Sequence, residues 1–155
     1  MGTSMYGTSS GGPPSPAGAG AAPSTARETV DGRGPLAMLR AVSALACLGT
    51  LVQGLLAGML LNGDVDSIDP HGANAYVFEA LVFLQVVAAF LLWRRNRGLT
   101  WPLKATVGIL VATFAQTGLG LEGSLAAHVT LGVALCAMET VLAMRVFALR
   151  VGSPS

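Results

Sequence analysis

The sequence predicts an all-α fold: a transmembrane antiparallel four-helix bundle built from two repeated helical hairpins, preceded by a disordered N-terminal tail. Three observations predict it. Of the 155 residues, 52% are hydrophobic and only 11% are charged, roughly half the charge that soluble domains carry. Such a chain cannot cover a water-facing surface, so the lipid bilayer is its natural solvent. Four apolar runs follow one another, and a pattern in the first pair recurs in the second. The net charge of +1 gives no case for nucleic-acid binding.

Residues 1–34 are Gly, Pro, Ala, Ser and Thr with little that is apolar beyond alanine. A segment of that composition buries too little surface to offset its ordering entropy, and it reads as a disordered tail. No basic region followed by an apolar core marks it as a secretory signal. The transmembrane domain is expected over residues 35–151. Its first helix spans about 36–61 and is interrupted only by Arg40 and Gln53. The second spans about 70–93, opened by Asp69-Pro70 as a cap followed by a first-turn proline. The third spans about 102–121, with Pro102 placed to start it. The fourth spans about 125–149, with Ser124 as N-cap. Each is long enough to cross a hydrocarbon core of roughly 30 Å at about 1.5 Å per residue.

Orientation follows from the cations. Arg27, Arg33 and Arg40 precede or open helix 1. Arg94, Arg95, Arg97 and Lys104 surround the link between helices 2 and 3, and Arg145 and Arg150 end helix 4. All nine basic residues therefore fall on one side, whereas the loop carrying Asp64, Asp66 and Asp69 and the turn at Glu122 have none. The positive-inside rule then predicts a multi-pass cell-membrane protein with both termini in the cytoplasm, and Trp93 and Trp101 as interfacial anchors. Cys47 and Cys136 sit far apart inside apolar runs and read as small buried hydrophobes.

The recurring pattern is Gln53-Gly54-Leu55-Leu56-Ala57-Gly58 followed by His71, then Gln116-Thr117-Gly118-Leu119-Gly120 followed by His128. These are the chain's two histidines, and both fall in the first turn of a helix that starts at the acidic side. Helices 2 and 4 run parallel in such a bundle, so the two rings share one depth. With neighbouring axes about 8–10 Å apart, diagonal helices lie about 11–14 Å apart, a span two imidazoles could close on a metal. The helix N-terminus disfavours imidazolium and leaves the neutral ring a metal needs. Gly54, Gly58, Gly118, Gly120, Ala75 and Gly132 would leave room for a flat cofactor. An interfacial histidine can equally be incidental, and Gly54-x-x-x-Gly58 can serve helix packing alone.

Other polar groups lie inside the apolar runs. Gln85 shares the helix face of His71, Glu139 shares that of His128, and Glu79 lies about 80° round from His71. An intramembrane carboxyl points to a functional site. It can also be a protonated glue, hydrogen-bonded to Gln53 or Gln116, and Glu139 could also pair with Arg145.

The pattern Gln-Gly-x-x-x-Gly, then His at the outer start of the next helix, resembles one four-helix half of the heme A synthase family. It is also similar to a group of short, uncharacterised bacterial four-helix membrane proteins. The resemblance implies heme b ligated by His71 and His128, with Gln53 and Gln116 lining the site. Heme A synthases carry an acidic residue three positions before an outer histidine, where this chain has Ile68 and Leu125. The resemblance therefore supports heme binding more than synthase catalysis. Three functions remain open on the residues: electron transfer or heme handling; a cofactor-free structural subunit that binds a protein partner or its own copies; and a small proton-coupled transporter using Glu79 or Glu139. No nucleophile–base pair, phosphate loop or zinc spacing points to a stand-alone enzyme.

Overall fold

The computed structural model describes residues 1–2 and 28–152, so residues 3–27 of the expected disordered tail lie outside the described residues. Among the described residues there are four long helices: α1 (Arg33–Leu61), α2 (Ile68–Arg95), α3 (Trp101–Leu121) and α4 (Leu125–Ala148). All four are long and apolar enough to span a membrane. Even α3, with 21 residues, extends about 32 Å. Each helix packs on its neighbour in sequence and α1 closes the ring against α4, which leaves α2 and α4 on one diagonal and α1 and α3 on the other.

At the acidic end, α1 and α3 finish in the same way. Gly63 and Gly123 adopt φ of 91° and 74°. Gly63 N–H donates to Leu60 O and Asp64 N–H to Met59 O, while Gly123 N–H donates to Gly120 O and Ser124 N–H to Leu119 O. These are paired Schellman closures, which satisfy orphan helix carbonyls and need a residue tolerant of left-handed backbone. The expected cap at Asp69 is displaced. A single 3-10 turn, Val65–Ser67, leads directly into α2, and Ser67 occupies the N-cap. Asp69 and Pro70 lie inside the first turn, where proline forfeits only an N–H that would have no intrahelical partner. Ser124 does stand at the N-cap of α4, though its side chain makes no capping bond.

The core is concentrated toward the basic end. Leu36, Leu39, Ser43, Ala46 and Thr50 form the buried stripe of α1 with Val42. At a constant offset of 63 residues (Leu36 to Leu99), Leu99, Pro102, Thr106, Ile109 and Thr113 are buried too. Phe78, Val82, Gln85, Ala89 and Leu92 are buried along α2. At an offset of 57 (Phe78 to Leu135) stand Leu135, Glu139, Leu142, Val146 and Leu149, all buried. The three- and four-residue steps within each stripe are those of one helix face.

The basic end is closed in part by residues expected to belong to the disordered tail. Thr29–Val30 (β1) pairs in parallel with Arg150–Val151 (β2), so order begins before the expected boundary at residue 35. The Asp31 backbone and the Asn96 side chain exchange two hydrogen bonds of 2.8 and 2.9 Å. Trp101 Nε1 donates to Glu28 at 3.3 Å, and the Arg145 guanidinium lies 4.4 Å from the Trp101 ring centre. Arg97 covers Trp93 at 4.2 Å. Arg40, inside α1, crosses to α4 and donates to Val146 O, Phe147 O and Leu149 O, capping carbonyls that would otherwise lack donors. Cys47 and Cys136 are free and half-buried rather than buried.

Arg40→Gln removes three charge-assisted bonds at this closure, each the kind worth about 1.5–3 kcal/mol before coupling. A Tm drop of several degrees in detergent is expected, with Arg40→Lys recovering part of it. Equal Tm values for wild type and Arg40→Gln would contradict this account.

Candidate functional site

Beyond Thr50, Phe78, Thr113 and Leu135, toward the acidic end, Ser67 is the only buried residue among those described. The apolar residues here are at most half-buried, and polar contacts link the helices. His71 and His128, both half-buried, meet across the α2–α4 diagonal with ring centroids 6.1 Å apart and planes at 56°. The expected convergence at one depth is what the chain adopts.

Each ring is held by the helix that precedes it, through different atoms. Gln53 Nε2 lies 3.1 Å from His71 Nε2 and 3.2 Å from His71 O. An amide nitrogen only donates, so His71 Nε2 accepts and the ring proton sits on Nδ1, which is buried without a partner. Asn74 fixes the Gln53 amide by donating to its Oε1 at 2.5 Å and to Gly49 O at 3.1 Å. In the second hairpin, His128 Nδ1 donates to the backbone carbonyl of Gln116 at 2.9 Å. A carbonyl only accepts, so Nδ1 bears the hydrogen and Nε2 keeps its lone pair. The Gln116 side chain plays no such part, and its Oε1 is a buried orphan. Gln53 and Gln116 thus occupy matching positions without matching roles.

Two glycines make this approach possible. A Cβ at Gly120 would lie 2.9 Å from His128 Cε1 and 3.0 Å from Nδ1, and one at Gly132 would lie 3.0 Å from Gln116 Nε2. Gly54 and Gly58 differ from expectation: both are exposed, with open space where a Cβ would stand, so within the chain they neither pack helices nor line the ring pair.

The intramembrane carboxyls also find other partners than those expected. Glu79 Oε1 receives the Thr117 hydroxyl at 2.6 Å. Glu139 Oε2 receives Gln85 Nε2 at 2.8 Å. Neither bonds to Gln53 or Gln116, and Arg145 lies on Trp101 rather than on Glu139. Asn74, Thr117 and Ser43 were not anticipated. Asn74 was recoverable, since it stands three residues after His71 on the same face. Thr117 and Ser43 carry no such signal.

No group of three or more His, Cys, Asp or Glu side chains suited to a metal occurs among the described residues. The site offers one free lone pair, on His128 Nε2, and one unpartnered N–H, on His71 Nδ1. Compared with known proteins, the chain matches no family model, no curated protein and no solved structure.

Gly120→Ala drives a methyl into a ring pinned by a carbonyl, whereas Gly132→Ala presses on the end of the Gln116 side chain, which no hydrogen bond among the described residues fixes. Gly120→Ala is therefore expected to lower Tm in detergent by more than Gly132→Ala. The reverse order would show that His128 is not held as described.

Proposed function

We propose that this chain is a multi-pass cell-membrane protein that binds heme b between His71 and His128 and serves electron transfer or heme handling. The carrying observation is the 6.1 Å separation of the two rings. Two imidazoles that share one metal, each nitrogen about 2 Å from it, place their ring centres roughly 6 Å apart. The loose packing of the acidic half and the orphan Nδ1 of His71 fit a group that inserts there. The offsets of 63 and 57 between buried stripes support a duplicated hairpin, which would give a symmetric pair of ligands. The eight described basic residues belong to the helix ends and links next to the chain's termini, which supports cytoplasmic termini and an outer-side site.

Bound heme supplies a one-electron centre. The chain's own residues set its ligands. Gln116 O holds His128 in the tautomer whose Nε2 is free, the carbonyl–histidine arrangement that orients metal ligands. Ligation through His71 Nδ1 would require that nitrogen's proton to pass to Nε2. Gln53 would then have to turn its amide to accept it, which would make Gln53 a positioning residue. Asn74 would set the cost of that turn.

Detergent-purified protein, supplemented with heme, is expected to show a Soret band that is lost in both His71→Ala and His128→Ala. Gln53→Ala should weaken heme retention several-fold. Gln116→Ala should leave it nearly unchanged, because the contact is main-chain. Absence of a Soret band in supplemented wild type would end this reading.

A further inference from the structure

We infer that Glu139 and Gln85 form a proton-binding site in the bundle interior, closed by a single proton carried between Glu139 Oε1 and Gln85 Oε1. This inference does not rest on the histidine site. Both side chains are 0% exposed, and they join α4 to α2 across the diagonal. Gln85 Nε2 has two hydrogens and spends them on Glu139 Oε2 at 2.8 Å and Ser43 Oγ at 3.3 Å. The remaining oxygen of each head group, Gln85 Oε1 and Glu139 Oε1, is buried and has no partner.

With Glu139 ionised, both orphans are acceptors and neither can satisfy the other. One proton on Glu139 Oε1 turns that atom into a donor. An acid and an amide then pair through two bonds: amide N–H to carboxyl C=O, and carboxyl O–H to amide C=O. The first of these is already in place. A single hydrogen therefore removes both unsatisfied atoms, which buried polar groups otherwise rarely leave.

Among the described residues, no cation pairs with Glu139. On α1, Arg40 commits its guanidinium to the carbonyls of α4, and Cys47 faces Thr140. From α3, buried Thr106 donates to its own helix at Leu103 O, and Lys104 belongs to that helix's first turn. On α4, Arg145 covers Trp101, and Cys136 Sγ lies 3.7 Å from Thr50 Oγ1. On α2, Glu79 is turned to Thr117. Among the described residues Gln85 is the sole hydrogen-bond partner of Glu139. A bare carboxylate there would be an uncompensated buried charge.

The full chain in phospholipid nanodiscs tests this. Infrared spectra at neutral pH should show a protonated-carboxyl C=O stretch that is lost in Glu139→Gln and displaced in Gln85→Leu. Dicyclohexylcarbodiimide, a lipid-soluble reagent for protonated carboxyls, should label wild type at Glu139 by peptide mapping, with or without sodium chloride. A band that persists undiminished in Glu139→Gln, or label found on Glu79 alone, overturns the proposal. Labelling of Glu139 abolished by sodium chloride also overturns it, because the site would then hold Na⁺. Should Glu139→Gln fail to fold, the wild-type labelling decides by itself.

Discussion

A solvent that offers no hydrogen-bond partners is the constraint on which this structure depends. Inside a bilayer a polar side chain must be satisfied by the protein, so each one selects the helix it faces. Gln85 reaches across the bundle to Glu139, Thr117 on α3 reaches Glu79 on α2, and Gln53 on α1 reaches His71 on α2. Apolar side chains could not impose this order, because lipid tails serve them as well as a neighbouring helix does. The exposed faces carry Leu48, Leu51, Leu55, Phe83 and Phe114, which lipid is suited to cover.

The two halves of the bundle are held by different forces. Near the basic end, apolar stripes interlock, Arg40 stitches α1 to α4, and β1 and β2 tie the ends of the domain together. Near the acidic end, a few hydrogen bonds and two imidazoles span helices that bury almost nothing. Regions with few buried contacts open at low free energy. Dense packing at the basic end and hydrogen bonds at the acidic end together keep the two histidines in register. The Glu139–Gln85 pair belongs to the dense half, where an unsatisfied oxygen is hardest to tolerate.

Much of the site was legible in the amino-acid order, and the reasons are local. His71 and His128 open helices that start from the same side, so their common depth follows from helix direction alone. Gln53 and Gln116 precede them by one hairpin each. Their contacts were not legible, because a side-chain amide and a main-chain carbonyl do the same task for two rings. Nor was the exposure of Gly54 and Gly58, since small residues at a four-residue step do not say which way they point. The partners of Glu79 and Glu139 depend on helix rotation, and a helix apolar on most sides gives rotation little signature.

What the sequence by itself determined is therefore the quantity that lipid makes local: apolar run length, hence helix number and extent, and the sorting of cations to one end. Only the tertiary structure decided how the helices are turned about their axes. That rotation brings the imidazoles to 6.1 Å and pairs Glu139 with Gln85; the pairing of residues 29–30 with 150–151 is likewise tertiary. The physical reason is that crossing a membrane depends on composition summed along one segment, whereas meeting another side chain depends on angle and depth shared between two.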